Sequence, residues 1–168
     1  MAKTYLDQIV EYPAKVIGKI ASDKFCVGLL VNKPFDKVTE DDFDTVLDQQ
    51  IFDYQYVDET TNKSTAYVWA EMEVDSVFNH QFKSTRLYVD ICCHKNYMKL
   101  APSLFKGVMG NRRDNLTRYI DKLLNNTDFL GLGPLNLEAV KTLTPINGFV
   151  VRQLIYSVPD FNVVELTE

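Results

Sequence analysis

At 168 residues and 19.3 kDa the chain has the length of a single domain. Its 46% hydrophobic and 24% charged residues exclude a disordered polymer, and no stretch approaches the roughly 18 apolar residues of a membrane span. Lys+Arg 18 against Asp+Glu 23, a net charge of −5, argue against a protein that grips a nucleic-acid backbone, because that affinity comes mostly from neutralised phosphates.

The first segment, 4–21, reads as helix: Leu6, Ile9, Val10, Pro13, Val16, Ile17 and Ile20 recur at spacings of three and four. Pro13 is expected to kink it or to open a second helix. Phe25 to Val31 is short, apolar and strand-like, and Asn32, Lys33 and Pro34 break it. An acidic stretch, 32–50, follows and reads as a surface insertion. Within it Thr39-Glu40-Asp41-Asp42 has the form of a capping box, with Phe43, Val46 and Leu47 as the apolar stripe behind.

Ile51 to Asp58 reads as a strand ending at the turn cluster Asp58 to Asn62. From Ser64 to Asp75 the alternation is strict: Ala66, Val68, Ala70, Met72 and Val74 face one way, Tyr67, Trp69, Glu71, Glu73 and Asp75 the other. From Arg86 to His94 it repeats, with Leu87, Val89, Ile91 and Cys93 inward. Period-two alternation is what an antiparallel sheet with one buried face requires. A loop with Pro102, Gly107 and Gly110 leads to a helix capped by Asn111 and striped by Leu116, Ile120, Leu123 and Leu124. A hairpin closes the chain, Leu135 to Leu143 and Phe149 to Val158, turning at Asn147-Gly148. The class predicted is α+β, one domain over 1–168, with helices packed on an antiparallel sheet of five to six strands.

Chemistry is sparse. Gly131-Leu132-Gly133 follows a helix and precedes a strand, the reverse of a phosphate-binding order. The only histidines are His80 and His94; Cys92 and His94 share a strand face but read as bystanders. The three cysteines form no disulfide framework and suit reduced thiols. Paired as a hairpin, the two alternating strands would gather Glu71, Glu73, Asp75, Asp90, Cys92 and His94 on one side, where two or three carboxylates on adjacent strands could hold a divalent ion. Opposed charge from Arg86 explains the same acids as ordinary cross-strand pairing. Tyr67 and Trp69 also point away from the first core and need cover, from this chain or from a partner. No catalytic residue, metal or cofactor is assigned.

The second half has a recognisable order: the strand Arg86-Leu87-Tyr88-Val89-Asp90-Ile91, a loop, a helix headed by Arg112-Arg113-Asp114, then Leu130-Gly131-Leu132-Gly133-Pro134 and a closing hairpin that runs to Tyr156-Ser157-Val158-Pro159-Asp160-Phe161. In order and texture it resembles tailed-bacteriophage neck, head–tail connector and tail-terminator ring proteins. The resemblance implies a non-enzymatic virion protein, assembled in the host cytoplasm as a six- or twelvefold homo-oligomeric ring against portal, neck or tail proteins. DNA would only pass through its lumen, and no membrane is involved. On that reading the interface candidates are Tyr67, Trp69, Arg112, Arg113, Asp114, Phe149 and Val151, with Phe149–Val158 as an exposed sheet edge. Two other classes remain open: a small metal-dependent nuclease using Glu71, Glu73 and Asp90, and a monomeric adaptor that recognises a protein through Tyr67 and Trp69.

Overall fold

The computed structural model describes residues 5–57, 60–78 and 82–158. Thr4, Asp58, Glu59, His80 and the Pro159-Asp160-Phe161 end of the hairpin, all used in the sequence reading, lie outside them. Helix α1 (Tyr5–Ala21) runs through Pro13 as one element rather than as two pieces. Its buried side is formed by Tyr12, Pro13, Val16 and Ile20, while Val10 stands outside at 69% exposure.

The next segment corrects the sequence reading. Residues 24–31 form helix α2 (Lys24–Val31) rather than a strand. A short apolar run cannot be assigned by periodicity alone, and here the ends decide. Asp23 is the N-cap, its Oδ1 accepting from the N–H groups of Phe25 (3.0 Å) and Cys26 (2.9 Å). Asn32 closes the helix in the left-handed region at φ 59°. Cys26 to Leu30 are all buried, so the helix is apolar all round because it lies inside. Gly28 is the point of closest approach: a Cβ there would lie 2.9 Å from Lys33 O and from the Phe35 ring.

The acidic stretch packs down instead of making an excursion. After a 3₁₀ turn at Phe35–Lys37 comes α3 (Glu40–Val46), with its capping box in place. Asp42 accepts from Thr39 N–H (2.9 Å), from the Thr39 hydroxyl (3.0 Å) and from Lys33 Nζ (2.6 Å). Those bonds, led by Lys33, hold its carboxyl below the usual range. Phe35, Val38 and Phe43 join the main core, and Val46 is fully buried.

Strands β1 (Ile51–Phe52), β2 (Ala66–Phe78) and β3 (Phe82–His94) precede α4 (Arg112–Leu124), and β4 (Asn136–Ile146) and β5 (Phe149–Val158) close the fold. The sheet order is β1-β2-β3-β5-β4. The four long strands are antiparallel neighbours, whereas β1 pairs parallel to β2 through Val68 and Trp69 only. The fold is therefore α+β as predicted, with a mixed five-stranded sheet. α1 lies on β2, and α4 on β3 and β5. The main core holds Val68, Ala70, Leu87, Val89, Ile91 and Leu154 with the helices, on the face that the alternation predicts.

The strand expected over 51–58 is only two residues long. Beyond Phe52 the chain leaves the sheet, and Tyr56 stacks on Phe52 at 4.1 Å while Val57 is buried. The expected edge also changes place. β5 is interior, bonded to β3 and β4, and β4 is the edge. β5 has Phe149 and Val151 on one face, in the second cluster, and Leu154 and Tyr156 on the other, in the main core, so both of its faces are covered.

Candidate functional site

The arginine at the head of α4 is not a surface charge. Arg112 is 1% exposed, its guanidinium lies 3.9 Å over the Tyr97 ring, and it donates to three acceptors. They are Tyr97 O (2.8 Å), Asn32 Oδ1 (2.6 Å) and Leu29 O. The last two sit at the C-terminal end of α2, where carbonyls lack helical partners and the dipole favours a cation. The next carbonyl, Leu30 O, accepts from Gln50 Nε2 (3.0 Å) and the Tyr97 hydroxyl (2.9 Å). One buried helix end is thus capped from three distant parts of the chain. The sequence reading placed Arg112 at an interface, and the structure makes it an internal strut.

Arg113 and Asp114 form a brace beside it. Arg113 Nη2 and Arg152 Nη2 donate to Asp114 Oδ1 at 3.0 and 3.2 Å, and Asn111 Nδ2 donates to Oδ2 at 2.7 Å. Burial works to raise the Asp114 pKa, but the bonds from Asn111 and Arg113 outweigh it and the carboxyl sits below its usual range. The brace ties the start of α4 to β5 and leaves Asp114 itself exposed. A groove of about 200 Å³ runs from there between α4 and the hairpin, lined in part by Asp121, Val140 and Leu154.

On the sheet face away from the helices, Tyr67, Trp69, Phe149 and Val151 do come together, with Phe52, Val57 and Cys92, in a second buried cluster. Their cover is intramolecular. The chain after β1 lies over them, held by Gln55 N–H to Glu71 Oε1 (3.0 Å) and by Asn147 Nδ2 to Thr61 O. The aromatic surface this leaves outside belongs to Tyr54 and Tyr56, at 52% and 39% exposure.

The carboxylates divide on the same face. Glu71 and Glu73 are exposed, whereas Asp90 is 5% exposed. Gln153 Nε2 reaches Asp90 Oδ2 at 3.4 Å, and Oδ1 is buried with no hydrogen-bond partner among the described residues. Desolvation raises this carboxyl to about 6, and the bonds from Gln153 and Trp69 offset it only in part. Among the described residues no three His, Cys, Asp or Glu side chains are grouped as metal ligands. Cys92 is buried, and burial pushes its thiol up to about 12, while His94 Nδ1 is occupied by the N–H of Asn96 at 3.2 Å. No helix among the described residues is long and apolar enough to cross a membrane.

A family model described as YomW matches residues 23–158, from the N-cap of α2 to the end of β5. The chain belongs to the YomW family. The family name is phage-derived, and the protein is accordingly phage-associated. No curated protein and no solved structure matches the chain. Among the described residues, α1 is the one helix or strand outside the YomW match, and the Arg112 strut, the Asp114 brace and the five described strands fall inside it.

Sequence reasoning missed the sites that depend on distant segments. Nothing local to Arg112 announces Leu29 O and Asn32 Oδ1, its acceptors about 80 residues upstream. A signal did exist for the edge: β4 carries Asn136, Glu138, Lys141 and Thr142, the polar composition of a strand with one side in water.

Proposed function

We propose that this protein is a structural subunit of a phage particle, acting in the neck or tail-completion region as one member of a homo-oligomeric ring. The observation that carries the reading is the match to a family of phage-derived name over residues 23–158. Two further features support it. The order β3, loop, α4 and β4–β5 hairpin is the one on which the resemblance to neck and tail-terminator proteins rests. A net charge of −5 suits a lumen past which DNA slides without sticking. In this role the protein has no chemistry to perform; its work is to present one surface to a neighbouring copy and others to the components above and below.

The test is the molar mass of the full chain by light scattering, over a range of protein and salt concentrations. The reading predicts six or twelve times 19.3 kDa, unchanged by a chelator. A mass of 19.3 kDa at every concentration contradicts it.

A further inference from the structure

The sheet has two open edges on opposite sides, and we propose that they are halves of one interface: β4 of one copy pairs antiparallel with the Ala70–Val74 stretch of β2 in the next, carrying the sheet from subunit to subunit. This deepens the ring reading and rests on it.

Four observations converge. Both edges are unpaired among the described residues, since β4 is outermost on one side and β1 covers β2 only at Val68 and Trp69 on the other. Rows of unpaired N–H and C=O groups are templates for another strand. The regular runs also match in length. Bulges between Leu137 and Ala139 and between Leu143 and Ile146 bound a run from Ala139 to Leu143 on β4. On β2 the covered pair ends at Trp69 and a bulge follows Val74, which leaves Ala70 to Val74.

Direction agrees as well. Through β3 and β5, β4 runs antiparallel to β2, so a second copy related by rotation about a ring axis presents β2 to β4 in the antiparallel sense of every long pair in the fold. Such a contact uses two different surfaces and closes by rotation. Finally, the side chains on each face suit one another. Val140, opposite Leu154 on the helix face, is 47% exposed beside the groove, and would meet the helix-face residues Met72 and Val74. Lys141, opposite Gln153 on the other face, is exposed, and would meet Glu73 and Glu71, whose Oε1 also accepts from Gln55 N–H at 3.0 Å. Pairing β4 with β4 of another copy about a twofold would bring the Lys141 side chains of the two copies toward each other instead.

The experiment compares the full-length chain with Val140→Lys, Lys141→Glu and the double variant Lys141→Glu with Glu71→Lys, by light scattering at matched concentrations. All three sites are exposed, and circular dichroism verifies that each variant is folded. The expected result is a six- or twelvefold mass for the wild type, loss of at least tenfold in self-association for each single variant, and recovery in the double charge reversal. A wild-type ring whose mass neither single variant changes overturns the edge pairing while leaving the ring reading intact. A wild-type dimer overturns the edge pairing in favour of a twofold. A wild-type monomer overturns both.

Discussion

Replacing Arg112 with methionine lowers the free energy of unfolding by about 3–5 kcal/mol, whereas Arg113→Ala next to it lowers it by about 1 kcal/mol or less. The contrast follows from where the two guanidinium groups lie. Removing Arg112 leaves Tyr97 O, Asn32 Oδ1 and Leu29 O without its donors in a buried site. A buried acceptor left unmatched costs about 1–3 kcal/mol, and three of them outweigh the desolvation cost recovered when the charge goes. Stacking on Tyr97 is lost too. Arg112→Lys gives little rescue, because one ammonium cannot reproduce a planar fork with three separate acceptors. Arg113 only shares Asp114 with Arg152 and Asn111, and Asp114 is exposed to screening water. Urea denaturation checks both values: the Arg112 variants shift the midpoint with little change in slope, and equal shifts for Arg112→Met and Arg113→Ala would contradict the assignment of Arg112 as a strut.

Asp90 sets the second large effect, one that depends on pH. Its folded-state pKa of about 6 lies above the roughly 3.9 of an unfolded aspartate. Between those values the native state binds more protons than the unfolded state, so stability falls as pH rises from about 4 to about 6 and is level beyond, as far as this group is concerned. Two units correspond to about 3 kcal/mol, with the buried carboxylate at neutral pH as the less stable condition. Asp90→Asn removes this slope and is expected to raise the free energy of unfolding at pH 7, read from urea denaturation, by an amount of that order. An amide at this position still accepts from Gln153 and carries no charge into the sheet face. Denaturation of wild type and variant at pH 4, 5, 6 and 7 gives the answer: parallel profiles would show that Asp90 does not titrate in this range.

Much of the architecture could be read from the amino acids because it depends on local period. The alternation in Ala66 to Met72 and in Leu87 to Cys93 predicts the core face of β2 and β3 residue by residue, while Val74 lies outside the core. The capping box at Thr39, the N-cap at Asn111 and the Asn147-Gly148 turn are likewise local, and each stands as read. Misreadings occurred where tertiary placement decides. Seven apolar residues from Phe25 fit a buried strand or a buried helix equally well, and Asp23 with Asn32 at the ends were the available hints. Sheet order is a long-range property, so the hairpin could be predicted without showing which of its strands lies inside.

The candidate site was less legible for the same reason. The outward alternation of Tyr67 and Trp69 shows that they need cover, and Phe149 and Val151 supply part of it from the far end of the chain. Two of the three acceptors of Arg112 are backbone carbonyls, groups that every sequence contains and none advertises. Sheet order also decides which strand backbone is left at an edge, and Val140, Lys141, Glu71 and Glu73 on the outer strands are exposed or partly so only because of it.

The most direct test of a structural role is the composition of purified particles of a phage that carries this gene. Quantitative mass spectrometry is predicted to find the chain in the particle at a fixed six or twelve copies, retained through gradient purification. Its absence from purified particles, with the protein abundant in the infected-cell lysate, would contradict the account.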